Sequence, residues 1–328
     1  LIINDQRRTV ACMKQSDECA ANQALVLAFL TVILWSSGFV FTRIAVRDIS
    51  PFPLGLLRYG SASVLLVIIG LVKRVGLPRL KDVPLFLFLG ALGFFLYQIF
   101  FNIAMMTITA ATASVVTATV PVLTAFFASL LFREKLGRIG WVAVGIEFAG
   151  IVVLTLWERE VSIGSGMVWM ILAAVCFACY NLIQRFVKTR YSSVQSTIYT
   201  ITACALMFLF FLPQGLEEVR TAPLTSLLAV LFMGIFPSAI GFLLWTKALS
   251  VAKQIGDVTN FMFVTPLLST LLEILLIGDF PDLGTIGGGL LILIGVAMFN
   301  NREKLQQRQF VMSADDQKSL DSVLENRK

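Results

Sequence analysis

The feature that most constrains this chain is a succession of apolar runs, each near the roughly 20 residues a helix needs to cross a bilayer. Ten can be read, at 25–45, 53–72, 84–105, 109–132, 140–157, 165–186, 195–212, 225–247, 256–277 and 284–299. The chain is 57% hydrophobic and 14% charged, against about 45–50% and about 25% for a soluble domain. That is too little charge to coat a soluble surface, so the bulk of the chain belongs in lipid. The first run is not a cleaved signal peptide: it is long for one, lacks a small-residue cleavage site and is followed by nine more. The chain opens on leucine and Met13 is a candidate start, so residues 1–12 carry no weight.

Orientation follows from the basic residues between spans. With the N-terminus placed in the cytosol, Arg43, Arg47, Arg159 and Arg220 fall outside and Arg58 lies within the second span. Every other Lys and Arg, of 26 in the chain, then falls inside. Both termini are therefore predicted to be cytosolic. No connection is long enough to fold separately, and the polar tail 300–328 reads as a solvated cytosolic segment.

The net charge of +6 does not point to nucleic acid, because the charges sit in short loops and tails and not along one helix face. Histidine is absent, which removes the commonest general base and metal ligand. Cys176 and Cys179 are spaced CxxC within an apolar helix with no second ligand pair, and read as packing residues. There is no phosphate-binding GxxxxGK[ST] loop, no HExxH and no cluster of polar catalytic residues. No catalytic residue, metal or cofactor is expected, and the protein is not expected to be an enzyme.

Laid on itself with a shift of 142 to 145 residues, the sequence matches across five spans. Trp35 meets Phe177, Arg43 meets Arg185, Phe101 and Ala104 meet Trp245 and Ala248, Pro121 meets Pro266, Glu134 meets Asp279, and Gly150 meets Gly295. The near-constant shift, in the order of the spans, argues for duplication. An odd number of spans per copy makes the second copy enter the membrane from the opposite side. Inverted repeats place a site near the midplane between them and allow it to open to either side in turn. The predicted architecture is an all-α polytopic membrane protein of ten transmembrane helices in two inverted five-helix repeats. Its parts are an N-terminal segment 1–24, repeats at 25–157 and 165–299, and the tail 300–328.

Three features together resemble the EamA branch of the drug/metabolite transporter superfamily, in its ten-span form. They are WSSGFVFTR at 35–43, the P-x-P-L-x-x-x-R that begins the second span, and ATVPVLTAFFASLLFREKL at 118–136. The resemblance covers roughly residues 25–300. It implies a bundle in the cytoplasmic membrane, with spans 1, 3, 4, 6, 8 and 9 around a pathway and spans 5 and 10 at the periphery.

Pro121 and Pro266 stand in the middle of apolar runs, where proline removes a helical hydrogen bond at a cost of about 3 kcal/mol. Unpaired carbonyls at membrane depth must be met by protein, water or ligand, so the pair reads as a hinge or as a kink that only shapes packing. Candidate pathway residues are Trp35, Ser36, Tyr97, Gln98, Asn102, Thr117, Thr119, Tyr180, Asn181, Trp245 and Asn260. An aromatic, amide-decorated cavity would suit an uncharged or zwitterionic organic solute; the same groups also serve helix packing and interfacial belts. Ionisable residues within spans are functional candidates by default. Arg58, about 9 Å into its span at 1.5 Å per residue, either snorkels outward or binds a carboxylate, whereas Lys247 snorkels inward. Glu147 sits at mid-depth in the fifth span. Glu273, in the ninth, is the preferred proton-coupling carboxylate. The short multidrug members of the superfamily carry their coupling glutamate in the first span, which here has no acidic residue.

The expected function is secondary transport, with export of a small metabolite such as an amino acid or amine. Two readings compete: a carrier of phosphorylated or nucleotide-linked solutes, and a membrane structural or signalling subunit. The expected partners are a small-molecule substrate and the lipid bilayer, with no nucleic acid; monomer and homodimer both stay open.

Overall fold

The computed structural model describes residues 2–132, 137–157, 165–187, 190–251, 262 and 264–301, and among these every regular element is helical. Seven helices are long and apolar enough to cross a membrane: Asn22–Ala45, Pro51–Val72, Leu80–Met105, Ala110–Leu131, Gly166–Gln184, Ser193–Thr221 and Leu224–Ala248. Thr265–Leu276 and Leu283–Phe299 are shorter apolar helices, and Gly137–Trp157 is a helix of 21 residues. These segments overlap the places read from the sequence, although residues 256–261 and 263 of the ninth lie outside the described residues. Large apolar side chains such as Leu71, Val152, Leu228, Leu275 and Leu290 are exposed on the outer faces. In a polytopic bundle these are the faces that meet lipid tails.

The spans pair in a pattern that survives exchange of the two halves. The first packs on the eighth and ninth, and the sixth on the third and fourth; the second packs on the eighth, and the seventh on the third. The second and seventh, the fourth and ninth, and the fifth and tenth pair with one another. The seam between the fifth and tenth shows the relation at single residues. A β-carbon on Gly150 would lie 2.6 Å from Cγ1 of Ile292, and one on Gly295 would lie 2.6 Å from Cγ of Glu147. Gly150 and Gly295 are repeat mates, and so are Glu147 and Ile292. Bare glycine backbones let these helices approach closely without a hydrophobic drive between them.

Four spans are irregular. The fourth is split by a turn at Ala118 and Thr119, between helices Ala110–Thr117 and Val120–Phe132. In the ninth, helix Thr265–Leu276 begins after a cap at Val264. Pro121 and Pro266 each hold the second position of the helix that follows, where the missing N–H would have had no helical partner anyway. The prolines therefore start helices and do not interrupt them, and the mid-helix penalty does not apply. The third and eighth spans instead contain π-helical turns, Ala91–Leu96 and Gly234–Gly241, the latter with Pro237 inside it. The two turns precede the matched pairs Phe101 and Trp245, Ala104 and Ala248. They leave close helix contacts on one side: a β-carbon on Gly93 would lie 2.3 Å from the ring of Tyr180.

Polar ties hold the ends of the bundle. At one end Arg43 Nη1 donates to the Met105 carbonyl at 2.8 Å, and Ser226 Oγ donates to Asp48 at 2.5 Å. At the other end Tyr191 donates to Asp82 at 2.7 Å, with Arg190 3.5 Å from the same carboxylate.

Candidate functional site

Between the halves lies a cavity with about 710 Å³ of empty space, counting its open mouth. Spans 1, 3, 4, 6, 8 and 9 each contribute to its wall, through Trp35, Tyr97, Thr117, Phe177, Phe242 and Thr265 among others. The second span also contributes, through Arg58 and Tyr59, which the family resemblance did not assign to the pathway. The wall is mainly aromatic. Trp35 lies 5.2 Å from Phe242 and 5.1 Å from Trp245, and Tyr97 lies 5.1 Å from Phe177, all between ring centres. Such spacings give offset or tilted ring contacts that add to area burial.

The π-helical turn of the eighth span places two successive residues against this wall. The carbonyl of Pro237 accepts from Trp35 Nε1 at 3.1 Å, and Ser238 Oγ accepts from Arg58 Nε at 2.8 Å. The guanidinium carbon of Arg58 is also 5.8 Å from the centre of the Tyr59 ring. Among the described residues no acid lines the cavity and no carboxylate pairs with Arg58. Hydroxyls from the two broken spans complete the polar part: Thr117 bonds to Ala113 O at 2.8 Å, and Ser114 accepts from Ser269 at 2.5 Å.

Of the pathway residues read from the sequence, Trp35, Tyr97 and Thr117 line the cavity, and so does Arg58. Ser36 does not; its hydroxyl is buried and bonds to Val32 O at 2.7 Å. Gln98 donates to Asn102 at 2.5 Å, and Asn102 donates to the Pro51 carbonyl at 2.8 Å. These amides tie the third span to the start of the second and neither lines the cavity, although the buried Oε1 of Gln98 has no hydrogen-bond partner. Thr119 bonds back to Val116 O at 2.7 Å, closing the turn before Pro121. Tyr180 packs on Phe94 and Phe177 behind the wall, at 5.1 and 5.6 Å. Trp245 backs Trp35, and Asn181 is half-buried away from the lining. Asn260 lies outside the described residues, and of Pro121 only the backbone is described.

The two carboxylates lie elsewhere. Glu147 is buried in the seam of the fifth and tenth spans, and its Oε1 has no hydrogen-bond partner. Glu273 accepts the N–H groups of Ala110 and Ala111, each at 2.7 Å. Those are free donors at the start of a helix, where a carboxylate also complements the helix dipole. Lys247 is exposed at the end of the eighth span.

Sequence reasoning missed Tyr59, Ser114, Phe177, Phe242, Ser238 and Pro237. A signal existed for some: Phe177 is the repeat mate of Trp35, and both line the cavity. Pro237 is a third proline inside an apolar run.

Comparisons with known proteins agree on the architecture. A transporter from Bacillus subtilis (strain 168), uncharacterized and called YdfC, is 29% identical over 276 residues, covering 84% of this chain and 90% of that protein. A probable terminal-alkyne amino-acid exporter from Streptantibioticus cattleyicolor is 27% identical, covering 88% of this chain and 97% of the relative. A crystal structure with 23% identity superposes with a TM-score of 0.58 over 84% of this chain and 94% of its own, which shows the shared fold. The model of the EamA-like transporter family matches twice, at residues 22–156 and 164–301. Two copies of the same family unit, facing each other across one cavity, make this chain a member of the EamA-like transporter family.

Proposed function

We propose that the protein is a secondary transporter that exports a small organic metabolite, such as an amino acid or amine, across the cytoplasmic membrane of a bacterium. The observation that carries this reading is the cavity itself: it is bounded by spans of both halves and lies beside their helix breaks. A site between inverted halves is exposed to either side in turn when the halves rock. The turn before Pro121, the start of the helix at Pro266 and the two π-helical turns are the places where backbone direction can change without breaking a continuous helix. Both termini face the cytosol in this reading, as the basic loops require. The relative named as a probable amino-acid exporter supports the direction and the solute class.

Glu273 serves as the coupling carboxylate in this scheme. Its protonation would release the start of the fourth span, since a neutral carboxyl complements the helix dipole less well. A carrier of phosphorylated or nucleotide-linked solutes is less well supported, because among the described residues Arg58 is the one charged residue in the cavity wall.

The test is uptake into proteoliposomes with a panel of amino acids, amines and nucleosides, with and without a proton gradient. Saturable, gradient-dependent movement of at least one solute is expected. If nothing moves, export of a small metabolite is abandoned.

A further inference from the structure

Resting on the transport reading above, we infer that Arg58 anchors a carboxylate of the transported solute, so that the substrates are organic carboxylates with an apolar or aromatic body. A charged side chain within a span is costly, and such residues pair with one another, with backbone or with a solute. Here Arg58 is half-buried, lines the cavity, and pairs with no carboxylate among the described residues. Ser238 takes up its Nε, which fixes the plane of the guanidinium while leaving the two terminal amino groups unclaimed. A planar fork with two free N–H pairs matches a carboxylate in bidentate fashion, which an ammonium cannot do.

Gly38 leaves room for this pairing. A β-carbon there would already stand 3.8 Å from Arg58 Nη2 and 3.6 Å from Pro237. A larger side chain would fill the space in front of the fork. Around the same cavity the wall supplies Trp35, Phe39, Tyr97 and Phe101 and, among the described residues, no acid. It therefore has an apolar berth for the body of the solute. An α-ammonium group would meet aromatic faces and no carboxylate. Recognition runs through the acid end: an amino group is tolerated but not required. Because Arg58 comes from the first half and Ser238 from the second, the carboxylate binds at a junction between the halves.

Four probes that share one ring decide it: phenylalanine, phenylacetate, phenylalaninamide and phenethylamine. Binding is read on the purified full-length protein by quenching of tryptophan fluorescence, to which Trp35 in the wall contributes, and flux is read in proteoliposomes. Phenylalanine and phenylacetate should bind at least about tenfold more tightly than the amide and the amine, since a site that pairs one polar group rejects analogues lacking it. Arg58→Gln should erase that preference, and Arg58→Lys should restore only a small part of it. Ser238→Ala keeps the charge but frees the fork, and should weaken acid binding several-fold; it answers the question even if Arg58→Gln does not fold. Equal binding of acid and amide by the wild type, or an undiminished acid preference in Arg58→Gln or Ser238→Ala, overturns the inference. Movement of amines while both acids stay put also overturns it and leaves the transport reading standing. Failure of every solute to move or bind overturns both.

Discussion

The indole nitrogen of Trp35 donates to the carbonyl of Pro237 at 3.1 Å, tying the first span to the π-helical turn of the eighth. A wall residue is thus positioned by backbone from the opposite half, and the neighbouring Ser238 positions Arg58 in the same way. The aromatic box and the cation share one support.

Removing the indole donor alone should be measurable. Trp35→Phe keeps a ring in the wall and leaves the buried Pro237 carbonyl without this partner, at a cost of about 1–3 kcal/mol. The expected result is a lower melting temperature in detergent, with solute affinity reduced less than by Trp35→Ala.

Glu273 holds two backbone N–H groups at the start of the fourth span. Glu273→Gln keeps one acceptor oxygen and loses the charge, and should cost about 1–2 kcal/mol. Glu273→Ala loses both acceptors and should be worse. In proteoliposomes Glu273→Gln should also abolish dependence on the proton gradient; unaltered accumulation in that variant would remove Glu273 from the coupling scheme.

The seam of the fifth and tenth spans makes opposite predictions for neighbouring residues. Glu147 is buried with an unpartnered Oε1, so Glu147→Met should raise thermal stability by about 1 kcal/mol, since an apolar group of similar size has nothing to leave unsatisfied. Gly295→Val should lower it by about 1–3 kcal/mol, because its β-carbon would meet Glu147 Cγ at 2.6 Å and the Ala143 carbonyl at 2.9 Å. Differential scanning fluorimetry of the purified variants checks both signs.

Pro121 and Pro266 each hold the second position of a helix, so replacing them adds a backbone donor that has no acceptor within that helix. The double variant Pro121→Ala, Pro266→Ala should fold with near-normal stability but transport several-fold more slowly, because it allows the helices to extend through the breaks. Wild-type flux in that variant would remove the hinge role.

The positions of the spans and the duplication were legible because both are written in local hydropathy and in paired residues such as Gly150 and Gly295. The breaks near Pro121 and Pro266 were legible for the same reason. Their form was not: a proline marks a break, but which turn of the helix it occupies depends on how the preceding residues fold, as at Thr119, whose hydroxyl turns back to Val116. The amides Gln98 and Asn102 looked like solute ligands because a polar group in lipid needs a partner, and sequence does not reveal that the partner is the Pro51 carbonyl. Arg58 had two readings from sequence, and neither reveals that its Nε is held by Ser238, 180 positions away.

The π-helical turns have a further consequence. A π turn is an α-helix carrying one surplus residue, and each residue advances a helix by about 100°, at 3.6 per turn. Were the residues of Ala91–Leu96 wound as ordinary α-helix with none removed, that surplus residue would no longer be absorbed by a wide turn. Everything after it would swing by that angle, carrying Tyr97 and Phe101 off the cavity wall and turning other side chains of the same helix toward it. The face that the third span shows to a solute is therefore held by a phase offset, a count of residues and not their identity. The eighth span holds the same offset at Gly234–Gly241, so straightening either turn with its residues kept would re-aim the wall, whereas deleting the surplus residue would leave the wall in place.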